Sequence, residues 1–435
     1  MIRILVEPSD YVLRNAGDTA MLHVAVTRLS RLWPEATIRV FSHVPERFPD
    51  WAANARPLGT EGRRAWLNEP FLLERLPRAA PTAVRHGVRR IERHVRWHRP
   101  RLARRLLKAS LRRRDQDPAC IDAFFEAVEG ADLVIANGMG GITDVFPEYA
   151  HALLRVVQQA QRHGAITALM GQGLGPLDDD VGLRALAASV LRDVDLITLR
   201  ERRAGTRLLR GMGVDERRVL VTGDDAVEIA YTARPSALGD ALGINLRAAS
   251  YAGVNESTVA CLGPALRRLR ADLGTSFAPI TISTVRGEED AATLSRLLDR
   301  DVGSQDEPDL GRILADVARC RMAVVGSYHA AVFALSMGVP TIGLYASAYY
   351  RDKFLGLTDM FGDGCRVLAL DVPDLEDRLA EMVRDAWSRA DEHRPDLLAS
   401  AEVQIEMAQA AWNRLGALVN SRHAGPTVKR NRARR

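Results

Sequence analysis

Short runs rich in Val, Ile and Leu alternate along the chain with longer stretches in which apolar residues recur every three or four positions. The short runs are typical of buried strands, and the longer stretches are typical of amphipathic helices. Strands are predicted at 2–6, 37–42, 132–136, 165–170, 195–199 and 218–221, then at 242–247, 278–283, 322–326, 340–344 and 366–370. Helices are predicted at 18–33, 119–129, 148–163, 181–192 and 201–212, then at 256–272, 288–299, 309–318, 328–337 and 374–388.

This alternation predicts parallel sheets that are covered by helices on both faces. Pro, Ser and Gly residues interrupt it at 231–240, which is the best domain boundary. We therefore expect an α/β fold of two doubly wound Rossmann-like domains, 1–230 and 240–390, that face each other across a cleft. The ligand is expected in that cleft, at the carboxyl ends of the strands. A helix at 391–420 is expected to cross back to the first domain, ahead of a disordered basic tail at 421–435.

The charge is distributed unevenly. The 435 residues are 47% hydrophobic and carry a net charge of +5, which excludes a mostly disordered or collagen-like chain. Residues 85–114 hold thirteen Lys and Arg against the single acid Glu92, and residues 421–435 hold six basic residues and no acid. The rest of the chain is therefore acidic. This pattern predicts an acidic globular body with two basic appendages.

The basic segment 85–114 has apolar residues at helical spacing, interrupted by Pro100. It predicts a pair of basic amphipathic helices inserted into the first domain. Such helices suit either an anionic membrane surface, which we favour, or an acidic partner surface. Zinc-finger spacing and RNA-recognition motifs are absent from the sequence, so no nucleic-acid partner is expected.

The absence of membrane-spanning and secretory features indicates the cellular compartment. It has no apolar run of about 18 residues, and its start lacks the features of a secretory signal. The four cysteines, 120, 261, 320 and 365, are widely spaced and form no metal-ligand motif, so no metal site is predicted. We expect a cytoplasmic protein, held peripherally on the inner face of the membrane if the basic helices bind lipid.

Candidate chemistry in the first domain lies where strands end. Asn15 and Asp18 flank Gly17 after the first strand, where a helix begins and free N–H groups suit an anion. Asp18 is equally suited to capping that helix and to catalysis. The strand 132–136 runs into Asn137, Gly138, Gly140 and Gly141, a glycine-rich loop without Walker or dinucleotide spacing. Because glycines lack side chains, the backbone of this loop can approach a ligand closely.

Two further strand ends in this domain carry polar groups. The strand 165–170 leads into Gln172 and a second glycine-rich loop, and the strand 195–199 leads into Arg200. Arg200 is expected either at the cleft or as a solvated residue at the start of a helix. In the second domain Arg247 occupies a similar place, at the end of the strand 242–247.

The segment 326–331 places Ser327 and His329 at the start of a helix. The helix dipole disfavours the cationic form of His329, whereas a bound anion favours it and allows the imidazole to act as an acid. The alternative is a histidine that only packs against the cleft wall. The following loop offers further candidates for anion binding: Tyr349, Tyr350, Arg351 and Lys353.

In their order along the chain these motifs resemble the polysaccharide pyruvyl transferase family, whose members have a glycosyltransferase-B-like fold. The residues that carry the resemblance are Asn15, Gly17, Asp18 and Ala20, then Asp132, Gly138, Gly140 and Gly141, then Gly173, Gly175, Pro176, Arg200, Glu201 and Asp224, and finally His329, Ala330, Gly338 and Pro340. The resemblance implies transfer of a pyruvyl group from the co-substrate phosphoenolpyruvate to two hydroxyls of a sugar, as a cyclic ketal. The acceptor would be a cell-envelope glycan or glycolipid, and no other cofactor is implied.

With that resemblance we assign roles to the candidates. The catalytic residues would be His329 and Asp18. The donor would be bound by Arg200, Arg247, Ser327 and Lys353. The acceptor would be bound by Asn15, Asn137, Gly140, Gly141 and Gln172.

Departures from the family pattern keep two alternatives open. The family usually carries Arg-Leu-His where this chain has residues 327–329, so a cation is missing and Arg351 is a candidate replacement. One alternative is a nucleotide-sugar glycosyltransferase of the same fold. Against it, the helix before Gly338 lacks the glutamate that commonly holds a ribose in such enzymes. The other is an inactive scaffold in envelope biosynthesis, motivated by Ser327.

Overall fold

The computed structural model describes residues 1–75, 77, 79, 81–249 and 253–424. Its first half forms a parallel sheet of seven strands in the order β3-β2-β1-β4-β5-β6-β7. The strands are β1 (Arg3–Glu7), β2 (Thr37–Ser42), β3 (Ala55–Gly59), β4 (Leu133–Ala136), β5 (Ile166–Gln172), β6 (Leu196–Leu199) and β7 (Val219–Val221).

Helices cover both faces of this sheet. They are α1 (Ala16–Leu32), α2 (Glu61–Asn68), α3 (Thr82–His98), α4 (Pro100–Arg113), α5 (Ala119–Gly130), α6 (Pro147–Arg162), α7 (Val181–Leu191), α8 (Gly205–Gly211) and α9 (Ala226–Thr232). The helices α3 and α4 meet at Arg99, directly before Pro100, where the sequence predicts the break.

The second half forms a parallel sheet of five strands in the order β12-β11-β10-β8-β9. Its strands are β8 (Ala241–Asn245), β9 (Phe277–Pro279), β10 (Cys320–Val325), β11 (Thr341–Tyr345) and β12 (Cys365–Ala369). Its helices are α10 (Glu256–Asp272), α11 (Asp290–Leu298), α12 (Leu310–Ala318), α13 (Tyr328–Ser336), α14 (Ala348–Phe361), α15 (Leu375–Ser388) and α16 (Ala390–Ala424). Short 3₁₀ turns occur at Pro45–Arg47, Leu73–Arg75, Glu216–Arg218 and Gly362–Gly364.

These two sheets confirm the predicted fold class, an α/β protein with two Rossmann-like domains. In each sheet the chain first adds strands to one side of an interior strand and then crosses to its other side. This strand is β1 in the first sheet and β8 in the second. Ligands of doubly wound folds bind at the carboxyl ends of the strands beside such a reversal. The loops after β1, β4, β8 and β10 are therefore the first place to look for a site.

The backbone joins the two domains at the start of α1. The N–H of Ala16 donates to the carbonyl of Ile282 at 2.8 Å, and the N–H of Thr284 donates to the carbonyl of Arg14 at 2.9 Å. Between them, Asn15 and Ser283 form an isolated antiparallel bridge. This connection holds the first turn of α1 against the second domain.

The last helix, α16, returns from the second domain to the first. Its residues Trp412, Leu415 and Val419 are buried in the core of the first sheet, and Nε1 of Trp33 donates to Oδ1 of Asn420 at 2.9 Å. The prediction that the basic tail begins at 421 is wrong, because the helix continues to Ala424. The rest of that predicted tail, 425–435, lies outside the described residues.

Several element predictions differ from the structure. The elements β3, α2, α9 and α14 were not predicted. The helix predicted from 201 begins at Gly205, because the Glu201 carboxylate accepts hydrogen bonds from the N–H groups of residues 203–205. The strand predicted at 278–283 ends at Pro279, because the N–H groups of residues 282 and 283 turn to the Asp290 carboxylate. Among the described helices none is long and apolar enough to cross a bilayer.

Candidate functional site

Arg200 directly follows β6 and contacts both domains. It is only 2% exposed, and its Cζ lies 4.1 Å from the ring centroid of Tyr328 in the second domain. Its Nη1 lies 3.6 Å from Oδ2 of Asp224. Its Nε has no hydrogen-bond partner among the described residues. An aromatic face and a carboxylate thus hold the guanidinium, while part of its donor set stays free for a ligand.

Asp224 faces the Arg200 guanidinium and the His329 imidazole. The same Oδ2 atom also lies 3.6 Å from Nε2 of His329, which has no hydrogen-bond partner in the described part of the chain. Burial opposes ionisation of Asp224, but His329, Arg200 and the N–H of Ala226 outweigh it and lower the pKa of this carboxyl. Asp224 lies within the family pattern, but no role is predicted for it from the sequence.

His329 packs against the first turn of α1. A Cβ atom on Gly17 would lie 1.9 Å from Cγ of His329, so only glycine allows this contact. Asn15 caps α1, because its Oδ1 accepts from the N–H groups of Gly17 at 3.0 Å and Asp18 at 3.3 Å. The expectation that Asp18 could be the cap is therefore wrong. Burial raises the pKa of the Asp18 carboxyl, and the nearby His329 only partly offsets this effect.

Lys353 extends from α14 into the same region. Its Nζ lies 3.7 Å from the ring centroid of Tyr349, and no carboxylate among the described residues is within ion-pair distance of it. Burial and the neighbouring Arg200 lower the pKa of Lys353 well below its usual range, although Asp18 acts in the opposite direction. An anionic ligand at this position would reverse that shift and stabilise the ammonium.

Arg247 and Ser327 belong to a polar network on the second domain. The fully buried Asp290 accepts from Nε of Arg247 at 2.8 Å and from Nδ2 of Asn245 at 3.0 Å. Oδ1 of Asn245 accepts from the N–H of Ser327 at 2.8 Å. This network connects the end of β8 to the N-cap of α13, and so fixes the helix turn that carries His329.

An open cavity of about 450 Å³ adjoins Arg200 and Lys353. Its inner end is formed by Gly140, Gly173, Arg200, Tyr349 and Lys353. Its other lining residues are Leu174, Gly175, Pro176, Leu177, Asp178, Arg184, Glu201, Ala204, Arg207, Leu208, Gly211 and Asp352. The size is typical of a small-molecule site.

Two glycines make room for the cations at the inner end. A Cβ atom on Gly140 would lie 2.7 Å from Nη2 of Arg200 and 3.0 Å from Cε of Lys353. A Cβ atom on Gly173 would lie 2.8 Å from Nε of Arg200. The glycine-rich loops therefore make room for the side chains of Arg200 and Lys353.

Of the five predicted acceptor residues, only Gly140 lines the cavity. Gln172 is fully buried and donates to the carbonyl of Asn137 at 2.8 Å, so it supports the loop from beneath. Asn137 is 1% exposed, and both polar atoms of its side chain lack a partner among the described residues. Gly141 packs against Met139 and Tyr149, and Asn15 is occupied as a helix cap.

Asp224 and Tyr328 contribute to the site without having been identified from the sequence, whereas Tyr349 is one of the predicted anion-binding candidates. The hydroxyl of Tyr349 donates to the carbonyl of Gly140 at 2.8 Å and thereby connects α14 to the glycine-rich loop. Arg351 is not the replacement cation, because it is exposed and pairs with Asp352. Among the described residues no cluster of His, Cys, Asp and Glu is arranged to hold a metal ion.

Comparison with solved structures shows the same fold. A proposed UDP-N-acetylglucosamine 2-epimerase from Listeria monocytogenes is similar over 97% of each chain, with a TM-score of 0.56 and 13% identity. Arabidopsis thaliana UGT89C1 complexed with UDP-L-rhamnose has a TM-score of 0.54 and 12% identity, over 96% of this chain and 98% of its own. Both confirm a glycosyltransferase-B-like arrangement. Curated protein sequences gave no significant match.

The family comparison covers most of the site and parts of both domains. The family model for polysaccharide pyruvyl transferase matches residues 15–347, from the cap of α1 to the start of α14. This range includes Asp18, Arg200, Asp224 and His329. The chain therefore belongs to the polysaccharide pyruvyl transferase family, a family of transferases.

Proposed function

We propose that the protein transfers a pyruvyl group from phosphoenolpyruvate to two hydroxyls of one sugar, as a cyclic ketal. The observation that carries this proposal is a set of buried polar atoms that lack a hydrogen-bond partner among the described residues. They are Nε of Arg200, Oδ2 of Asp224 and Nε2 of His329, and the half-buried side chain of Lys353 lies nearby. Because buried polar groups are normally paired, such a set indicates a ligand.

Phosphoenolpyruvate suits this arrangement because it carries two anionic groups close together. The fork of Arg200 can bind a carboxylate or a phosphate through two parallel bonds, and Lys353 adds a point charge. Arg247 reinforces the positive field from the second domain while Asp290 holds it in place. The first turn of α13, with Ser327 at its cap, adds free N–H groups.

His329 is proposed as the general acid. It would protonate the methylene carbon of the donor and leave an oxocarbenium-like centre at C2, while Asp224 orients and stabilises the imidazolium. A sugar hydroxyl then forms a C–O bond to C2 and gives its proton to Asp18. The raised pKa of Asp18 makes its carboxylate a better proton acceptor than an ordinary aspartate. Cleavage of the C2–O bond releases inorganic phosphate. The second hydroxyl attacks C2 and gives its proton to His329, which restores the acid and closes the ketal ring. The proton held by Asp18 leaves with the released phosphate.

The cavity is proposed to hold the acceptor sugar, with the donor at the inner end. Its apolar wall, which includes Leu174 and Leu208, suits the C–H face of a sugar ring, and its rim carries Asp178, Arg184 and Arg207 for hydroxyl or acidic groups. This replaces the predicted acceptor set, of which only Gly140 lines the cavity. A cell-envelope glycan or glycolipid is the acceptor class that the family suggests.

A nucleotide-sugar glycosyltransferase is the second candidate, since solved structures of the same fold include UGT89C1 complexed with UDP-L-rhamnose. The sequence of α13, from Tyr328 to Ser336, contains no carboxylate that could hold a ribose. The inactive-scaffold alternative rests on Ser327, but Arg200 and Lys353 still provide cations at the site. Phosphoenolpyruvate is therefore the favoured donor.

The test is incubation with phosphoenolpyruvate and a panel of envelope glycans, with phosphate release and product mass as readouts. We expect phosphate release that depends on the acceptor, and a product heavier by one pyruvate less one water. His329→Gln should abolish both signals, whereas His86→Gln on exposed α3 should not. Transfer from UDP-sugars without any use of phosphoenolpyruvate would overturn the proposal, as would full activity of His329→Gln.

A further inference from the structure

The helices α3 and α4, together called the basic helix pair, expose apolar side chains on the surface of the first domain. Val84 is 46% exposed, Ile91 is 55% exposed and Leu102 is 48% exposed. In the described part of the chain only three other large apolar side chains are exposed: Met1, Val181 and Val403. Half of the exposed large apolar side chains therefore lie on this one pair.

The inner face of the basic helix pair is firmly packed. Ala103, Leu107 and Leu111 are buried in the same core as Trp66. The buried carboxylate of Glu92 accepts hydrogen bonds from the backbone N–H groups of residues 71–73. The pair is thus a fixed part of the first domain, and its outer face is presented in one orientation.

Only some of the cationic side chains of the pair form ion pairs or hydrogen bonds with the rest of the described protein. Arg104, Lys108, Arg113 and Arg114 form ion pairs with carboxylates of neighbouring elements, and Arg96 donates to backbone carbonyls. The remaining arginines have no carboxylate within ion-pair distance among the described residues. They are Arg85, Arg89, Arg90, Arg93, Arg99, Arg101, Arg105 and Arg112.

We propose that the basic helix pair docks the protein on an anionic membrane surface. Unpaired guanidinium groups complement a layer of lipid phosphates and carboxylates, and the side chains of Val84, Ile91 and Leu102 can enter the boundary with the acyl chains. On α3, Val84, Val88 and Ile91 follow helical spacing and form one apolar stripe between these arginines. This mixture is typical of helices that lie at a membrane interface.

Other polyanions fit the surface less well. A stable protein interface gathers its apolar side chains in a central patch with the charges at the rim, whereas on the basic helix pair apolar side chains and arginines alternate. A site for single-stranded nucleic acid adds aromatic rings on which bases stack. The aromatic residue of α3, Trp97, is partly buried and its ring lies under Arg155.

The test is flotation of the full chain with vesicles of phosphatidylcholine that contain about one third phosphatidylglycerol, compared with vesicles of phosphatidylcholine alone. We expect at least about tenfold more binding to the anionic vesicles, decreasing as salt is added. A variant with Arg89, Arg90, Arg93 and Arg105 changed to Gln should lose most of this binding. These side chains are exposed and unpaired in the described structure, so the thermal unfolding of the variant should match that of the parent.

A matched control removes the same charge elsewhere, at the exposed residues Arg31, Arg192, Arg286 and Arg378, and should bind like the parent. Ile91→Gln with Leu102→Gln should weaken vesicle binding but leave binding to polyglutamate or duplex DNA unchanged. The proposal is overturned if the four-arginine variant binds anionic vesicles as well as the parent. It is also overturned if the control loses as much binding, or if the protein binds polyglutamate or DNA but not vesicles.

Discussion

The cleft and the basic helix pair are both rich in arginine, but they use it in opposite ways. In the cleft, Arg200 is nearly buried, lies over an aromatic ring and faces one carboxylate. On the helix pair, Arg89 and Arg90 are exposed and have no carboxylate partner among the described residues. A charge away from water acts on its neighbours far more strongly than a solvated one. A few cations in the cleft are therefore sufficient for chemistry, whereas the helix pair needs many for weak attraction over a surface.

The largest effect is expected for Arg200→Gln. It removes the guanidinium that faces the donor, so kcat/KM should fall by about a thousandfold, the usual loss when an electrostatic contact of a transition state is removed. Arg90→Gln, the same change on the helix pair, should leave kcat/KM with a soluble acceptor unchanged. Steady-state phosphate release measures both. Equal losses in the two variants would contradict the distinction between the regions.

Glycine offers a second comparison. A Cβ atom on Gly17 would collide with the ring of His329, whereas one on Gly87 in α3 meets nothing within 4 Å. We expect Gly17→Ala to lower the free energy of unfolding by about 1–3 kcal/mol and to impair turnover. Gly87→Ala should raise it by up to about 1 kcal/mol, because alanine favours a helix. Urea unfolding of the two variants measures the difference, and destabilisation by Gly87→Ala would show that α3 is constrained at this point.

Each region also offers a buried carboxylate for comparison, Asp224 in the cleft and Glu92 in the helix pair. Since the folded protein lowers the pKa of Asp224, its ionised form stabilises the fold above the unfolded pKa of about 3.9, and this contribution is lost as the pH falls through the lower folded value. Asp224→Asn should therefore cost about 1–2 kcal/mol at neutral pH and much less in acid, and should also reduce turnover.

Glu92→Gln is the matched change for Asp224→Asn. It should lower stability, because the N–H groups of residues 71–73 lose an ionised acceptor, and it should leave the turnover of the folded fraction unchanged. Urea unfolding across the acid range, with turnover of the same samples, measures both variants. A loss of turnover in Glu92→Gln equal to that in Asp224→Asn would count against a catalytic position for Asp224.

The smallest effect concerns the two lysines, Lys353 in the cleft and Lys108 in the helix pair. Because its pKa is lowered, Lys353 loses its positive charge at a lower pH than an ordinary lysine does. The KM for phosphoenolpyruvate should therefore rise severalfold as the pH increases. Lys353→Arg should flatten this rise, since a guanidinium keeps its charge. Lys108→Arg should leave the pH profile of KM unchanged. A KM that is independent of pH in the parent would argue against donor contact by Lys353.

The fold class and the cations of the cleft could be predicted, because parallel strands bring their carboxyl ends to one edge. The elements α14 and α9 could not, since glycine and polar residues break the apolar period in the first and the second is only two turns long. Asp224 and Asp225 show the limit most clearly. Asp224 faces Arg200 and His329, whereas Asp225 accepts from Arg28 at 2.8 Å on the helix layer. Only the packed backbone determines which of two adjacent carboxylates meets the cleft.

The return of α16 to the first sheet has a consequence for biosynthesis. Trp412, Leu415 and Val419 complete the core of the first domain, yet they leave the ribosome only after the whole second domain. Domains usually fold in the order of synthesis. Here the first domain must wait, with Trp33 and its neighbours uncovered, until the second has been made. A nascent chain arrested before Ala390 therefore exposes an apolar surface to chaperones, and the two domains complete their folding together.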